Sequence, residues 1–316
     1  MVLSRDHGGG VDAAAARWGG PREAWIDLST GINPVPYPLP RLPESCWAAL
    51  PDQGAQTALT EAARGFWNVP DDAAILAAPG ASSLIAKIPA LVAPGCVHIP
   101  GPTYNEHAAA FSAHGWTVES AQAAQDPQQA RVIVHPNNPT GGWYSSDDLG
   151  APLTVIDESF ADVAPDRSLV GYADEPGVLV LKSFGKFWGL AGLRLGFAIG
   201  PEPLVASLCE ALGPWPVSGP ALAIGAAALN DWQWSADTRT RLNEDAARLD
   251  ALMARAGAQV AGGTSLFRLY RVADAGAWQA RLAEARIWSR VFPYAPDWLR
   301  LGLPAPHQWA RVEAAL

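Results

Sequence analysis

The sequence predicts an α/β fold, with a large domain around a mostly parallel central sheet and a smaller α/β domain at the C-terminal end. Three observations carry this expectation. Between residues 74 and 199, short apolar runs rich in β-branched residues alternate with stretches of helical spacing, the pattern of a parallel sheet covered on both faces. Each run ends in a polar or glycine-containing turn, so polar groups collect at one edge of the sheet, where open α/β sheets bind ligands. Beyond Pro214-Trp215-Pro216 the pattern changes to one long amphipathic segment and weaker strands.

Composition bounds the rest. The chain has 316 residues, 49% hydrophobic and 17% charged, enough to bury the cores of two domains. A formal net charge of −9, with no lysine or arginine run, argues against nucleic acid or an anionic membrane surface as the main partner. The three cysteines, Cys46, Cys96 and Cys209, lie far apart and fit reduced thiols better than a disulfide framework. The stretch MVLSRDHGGGVD lacks the apolar core of a signal peptide, and no apolar run is long enough to span a membrane. A cytoplasmic protein is expected. The histidines show no metal-ligand spacing, and no metal is expected.

In chain order, residues 1–40 are rich in glycine and proline and read as an irregular arm with one short helix over 12–18. Ile26 and Leu28 around Asp27 indicate that the arm docks. A large domain is expected over 41–220 and a small one over 221–316. Helical spacing runs from Leu42 to Val69, then a strand over 74–78, the turn Pro79-Gly80-Ala81-Ser82-Ser83 and a helix to about Val92. Strands are expected at 96–100, 131–135, 154–156, 178–181 and 195–199, with a helix over 106–114. In the small domain, the spacing predicts a helix over 237–256, strands at 265–270 and 298–303, and a helix over 277–285.

The polar groups at these strand ends sort by chemistry. Lys186 emerges just past the run Val178–Leu181, in Ser183-Phe184-Gly185-Lys186, and Arg194 follows across a glycine-rich turn. Read alone, Lys186 is a surface cation. The turn at Gly80, Ala81 and Ser82 leads from a strand into a helix, so its free N–H groups suit an anion. Asp157 ends a buried strand, Tyr104 offers a ring face, and Asn138 offers an amide. An amine that can bond an aldehyde, a carboxylate for a ring cation, anchors for a phosphate and a stacking ring are what pyridoxal 5′-phosphate (PLP) requires.

The set occurs in a distinctive order: Asn-Asn-Pro-Thr-Gly at 137–141, Asp-Glu-x-Phe at 157–160, and Ser-x-x-Lys followed after seven residues by Arg at 183–194. Over about residues 70–200 the chain resembles the fold type I PLP-dependent transferases of the aminotransferase superfamily. Three features make it similar to the threonine-phosphate decarboxylases of cobalamin biosynthesis: His7-Gly8-Gly9, Asp27-Leu28-Ser29-Thr30-Gly31-Ile32-Asn33-Pro34, and Ser183-Phe184-Gly185-Lys186-Phe187-Trp188-Gly189-Leu190-Ala191-Gly192-Leu193-Arg194; the resemblance extends to Trp298–Leu303. Histidinol-phosphate aminotransferases are the next of kin. The resemblance implies a PLP enzyme, a homodimer, and L-threonine O-3-phosphate as the small phosphorylated substrate. It further implies that Lys186, Asp157 and Tyr104 are catalytic, and that Gly80, Ala81, Ser82, Asn138, Ser183 and Arg194 hold the cofactor with them. Arg300 would take the substrate carboxylate and Arg290 its phosphate, with His7, Gly8, Asn33 and Asn138 completing the substrate site and the arm acting as a lid.

Three departures stand against the family pattern. Phe160 occupies a position where tyrosine is usual, and Gly185 one where serine or threonine is common. No tyrosine lies near Leu50-Pro51-Asp52 to serve a neighbouring subunit. Looser cofactor binding is therefore expected. Two other functions stay open on sequence alone: an aminotransferase acting on a compound such as histidinol phosphate, and a non-catalytic PLP-binding protein. The intact Lys/Asp/Asn/Arg set and the absence of a basic patch argue against the latter. The 14 tryptophans have no functional reading from sequence and are expected in the core or at interfaces.

Overall fold

The structure is a computed structural model that describes residues 7–121 and 128–316. By backbone proximity the chain forms two compact units, one of Tyr37–Asn138 and Gly142–Ala236, the other of Met1–Pro36, Pro139–Gly141 and Asp237–Leu316. This grouping departs from the expected division at 40/41 and 220/221, because the arm pairs with the C-terminal residues. Ile26–Asp27 forms a parallel pair with Ile287–Trp288, and Gly302 donates its N–H to the Leu28 carbonyl at 2.7 Å.

The larger unit is built on seven strands: β1 (Ala74–Ala78), β2 (Cys96–His98), β3 (Thr117–Glu119), β4 (Ala130–Val134), β5 (Leu153–Asp157), β6 (Val178–Ser183) and β7 (Gly196–Gly200). Their order across the sheet is β1-β7-β6-β5-β4-β2-β3. All neighbours run parallel except at β7, which is antiparallel to both β1 and β6. The mostly parallel fold type I sheet is thus present. β5 and β7 are buried throughout and β4 and β6 nearly so, which is why their sequences are continuous apolar runs without alternation.

Local chemistry explains where elements begin and stop. The stretch from Leu42 to Val69 is two helices, Ser45–Ala48 and Gln53–Trp67, because a proline at 51 drives Leu50 out of the helical region. The second ends on Asn68, at φ 52°, whose N–H caps the carbonyls of Arg64 and Gly65. The helix after β1 stops at Lys87, short of the expected Val92, and continues as a 3₁₀ turn through Pro89. Helices Glu202–Leu212 and Gly219–Leu229 and the short edge strand β3 were not foreseen from the sequence.

The aromatic residues have a structural role in this unit. Trp188 is fully buried, stacked on Phe184 at 5.0 Å and on Trp234 at 5.2 Å. Trp67 and Trp188 both donate indole N–H groups to Asp162, at 2.8 and 3.2 Å. Beside them Lys182, 1% exposed, bonds the Glu158 carboxylate and stands 3.8 Å from that of Asp162. Glu158 also accepts from Ser168 Oγ and from the Leu169 N–H, both at 2.6 Å. Every member of this buried cluster is therefore bonded, as buried charges must be.

The smaller unit holds an antiparallel sheet of β8 (Gln259–Thr264), β9 (Phe267–Arg271), β10 (Arg290–Phe292) and β11 (Ala295–Gly302), ordered β10-β11-β9-β8. β9 and β11 are the strands expected at 265–270 and 298–303. β8 escaped notice because Gly262 and Gly263 dilute its pattern, and β10 because it is three residues long. The long helix runs Trp232–Arg255, and a shorter one Ala275–Glu284.

Removing one member of the buried ion pair strands the other. Lys182→Met should cost roughly 3 kcal/mol in urea denaturation, since it leaves Glu158 and Asp162 uncompensated. Adding Glu158→Gln, which still accepts from Leu169, should recover a large part of that loss.

Candidate active site

One pocket in the larger unit is lined by Ala81, Ser82, Tyr104, Asn138, Asp157 and Ser183, with Lys186, Arg194 and Phe160. Eight of the nine residues expected at the cofactor are thus brought together. Gly80, the ninth, adjoins them: at φ +83°, a Cβ there would stand 2.5 Å from the Arg194 guanidinium. Strand direction explains the convergence. β1, β4, β5 and β6 end at the pocket, delivering Ser82, Asn138, Asp157 and Lys186, whereas the reversed β7 begins there and places Arg194 two residues before its first residue. That first residue must be glycine, because a Cβ on Gly196 would fall 2.4 Å from the Ala81 nitrogen.

Asp157 is buried, and its anion is held by a residue that sequence reasoning missed. His107 Nε2 donates to Asp157 Oδ2 at 2.8 Å, with both side chains buried. Ser159 donates to Oδ1 from its N–H at 3.0 Å and from its hydroxyl at 2.6 Å. Burial by itself pushes this carboxyl up. The His107 hydrogen bond and charge, with the two Ser159 bonds, outweigh it and hold Asp157 below the usual aspartate range. The available signal was a lone histidine on the helix Asn105–Ala113, three residues past Tyr104. Its ring meets that of Tyr104 edge-on at 6.1 Å.

The departures from the family pattern have a physical form. Phe160 lacks a hydroxyl but presents its ring to the Lys186 ammonium at 5.3 Å. At Gly185 a side chain would meet Ala191 Cα at 3.3 Å, so the position is tight.

Apart from Asn138, which lines the pocket of the larger unit, the expected substrate residues lie in the smaller unit. Arg290 and Arg300 are directly opposite each other across β10 and β11, so two guanidinium groups share one face of the sheet, an arrangement that costs energy unless an anion joins them. Arg300 is 3% exposed, donates to the Ser29 carbonyl at 2.6 Å and lies over the Phe267 ring at 5.1 Å. Gly8 packs against the Ser29 carbonyl, where a Cβ would come within 2.5 Å, and the Gly9 N–H donates to Ser29 Oγ at 2.6 Å. Asn33 is buried, and its side-chain Oδ1 accepts from Arg241 at 2.6 Å. His7 is exposed.

The family model for aminotransferase class I and II matches residues 41–316. The chain belongs to the class I and II aminotransferase family. It is 42% identical to a threonine-phosphate decarboxylase from a Sinorhizobium species, covering 94% of this chain and 92% of that protein. It is 38% identical to a threonine-phosphate decarboxylase of Pseudomonas aeruginosa, over 98% of this chain and 97% of the relative. Its fold is similar to that of the histidinol-phosphate aminotransferase of Sinorhizobium meliloti solved with pyridoxal-5′-phosphate, with a TM-score of 0.80 at 18% identity over 100% of this chain and 94% of that one.

PLP is the cofactor of this aminotransferase family, and the pocket fits it. A lysine amine, a buried carboxylate held as an anion, and two hydroxyls beside an arginine line the same cavity.

The sign of the Asp157 shift sets its pH dependence. A lowered folded pKa stabilises the protein at neutral pH, and the contribution disappears as pH falls through that pKa. His107→Phe removes the main group lowering it, so acid denaturation followed by circular dichroism should begin at higher pH. Stability at pH 7 should fall by roughly 3 kcal/mol.

Proposed function

We propose that this protein is a PLP-dependent carboxy-lyase that converts L-threonine O-3-phosphate to (R)-1-amino-2-propanol O-2-phosphate and CO₂, as a step of cobalamin biosynthesis. The observation that carries this reading is the similarity to two threonine-phosphate decarboxylases at 42% and 38% identity over nearly the whole chain. The facing arginines Arg290 and Arg300 support it, since the substrate carries two anions. A cytoplasmic homodimer accompanies the reading. Among the described residues, no helix is long and apolar enough to cross a membrane.

In this reading Lys186 would hold the cofactor through its amine until the substrate amine takes its place, and the cofactor would supply an electron sink for the bond broken at the substrate α-carbon. The chain's own residues do the rest. Ser82, Ser183, Arg194 and the amides of residues 80–82 would hold the cofactor phosphate. Asp157 would keep a proton on the pyridine nitrogen, Tyr104 would cover the ring face, and the Asn138 amide would donate to the phenolic oxygen. Arg300 binds the substrate carboxylate through its planar fork. Arg290, with His7, Gly8 and Asn33, binds the substrate phosphate. Whether CO₂ or a proton leaves is then a matter of orientation, set by anion contacts remote from the breaking bond. Once CO₂ has left, Lys186 Nζ delivers a proton to the α-carbon.

Incubation with threonine phosphate should release CO₂ without any need for 2-oxoglutarate. Transamination without CO₂ release would favour an aminotransferase instead. Arg300→Lys keeps the charge but loses the fork, and should lower kcat/KM about ten- to hundredfold, the worth of one hydrogen bond to a charged group. Lys186→Ala should reduce turnover by at least about a thousandfold. Full activity in that variant would refute the catalytic assignment.

A further inference from the structure

His135 follows β4 directly and is 1% exposed. Both of its ring nitrogens are committed. The Tyr144 N–H donates to Nδ1 at 3.0 Å, and Nε2 lies 2.7 Å from the Arg167 carbonyl oxygen, which can only accept. The ring therefore carries its proton on Nε2 and none on Nδ1. It is wedged edge-on against Trp143 at 4.8 Å, and the Arg167 guanidinium lies over the same indole at 4.2 Å.

What this ring ties together gives it a use. His135 and Tyr144 bracket the segment that holds Asn138, a residue of the pocket. At the base of that segment the Asn137 N–H donates to the Gly142 carbonyl at 2.7 Å, and the Asn137 side chain is held by Thr103 Oγ1 at 2.6 Å and by the Pro102 carbonyl at 3.0 Å. On the other side, Arg167 adjoins Ser168, which bonds Glu158 at 2.6 Å, next to Asp157. The His135 N–H itself donates to the Asp157 carbonyl at 2.8 Å. One imidazole thus links the segment carrying Asn138 to the strand end carrying Asp157.

We propose that His135 is a positioning residue: its neutral ring, protonated on Nε2, holds Asn138 against the cofactor. The proposal rests on the reading of the pocket as the PLP site. Burial pushes the His135 imidazolium down, and the charged groups around it are Arg167, Glu158 and Lys182. A proton on Nδ1 would set two donors face to face, Nδ1–H against Tyr144 N–H, and open the clamp.

Two conservative variants separate the two halves of the clamp. In His135→Asn the side-chain oxygen reaches the place of Nδ1 and can still accept from Tyr144. In His135→Gln the side-chain amide reaches the place of Nε2, and the Tyr144 N–H is left unpaired. Leaving a buried donor unpaired should weaken PLP binding about tenfold in His135→Gln by equilibrium dialysis. The pH at which the bound cofactor's visible absorption changes should move with it. His135→Asn should stay within about threefold of wild type, with that pH unmoved. In cofactor-free wild type, nitrogen-15 NMR should show the Nε2–H tautomer at neutral pH. The proposal is overturned if both variants match wild type, or if both lose affinity only in step with their urea midpoints. An Nδ1–H tautomer or an imidazolium would overturn it as well. A wild-type chain that does not bind PLP would sink the pocket reading and the role toward the cofactor with it, while the tautomer, measured without cofactor, separately tests the clamp itself.

Discussion

Because β7 runs against both neighbours in an otherwise parallel sheet, the residues leading into it, Arg194 among them, emerge at the same edge where β1, β4, β5 and β6 end. The pocket depends on that reversal. Gly196 is in register with Ala78 on one side and Ser183 on the other, so Arg194, Ser183 and the turn after Ala78 are brought together by strand pairing. No loop has to fold back to deliver them. A parallel β7 would have sent Arg194 to the opposite edge, about 16 Å away for a five-residue strand at roughly 3.3 Å per residue.

The same alternation that builds the sheet divides its charges. Asp157 and Glu158 are adjacent in sequence, and successive side chains of an extended segment point to opposite sides. One reaches His107 and the pocket. The other reaches Lys182 and Ser168 in the cluster around Asp162. Each anion has its own partners, so two neighbouring carboxylates stay buried without competing for one cation. Phe184, Trp188 and their stacked neighbours then pack the segment around Lys186 against this cluster, which gives the lysine a rigid foundation.

Much of this was legible in the sequence because buried strands leave continuous apolar runs, and those runs end in residues whose chemistry is unusual at such places. Lys186, Asp157, Asn138 and Arg194 could be read that way. What escaped was non-local or diluted. His107 is a single histidine on a helix, and its meaning comes from a carboxylate 50 positions away. β8 and β10 are too short or too rich in glycine to show a period. The arm reads as irregular because its order comes from pairing with Ile287–Trp288 and from Arg300 reaching the Ser29 carbonyl, contacts that no local pattern encodes.

The buried indoles at Asp162 carry one more consequence. Trp67 and Trp188 are shielded from water, each donates to one oxygen of the Asp162 carboxylate, and Trp188 lies two residues from Lys186 along the chain. Indoles held rigidly in a dry environment emit at short wavelength, and a chromophore nearby drains their excited state. The chain therefore contains its own optical gauge, in which the blue edge of the protein's emission reads out whether the pocket beside Lys186 is filled.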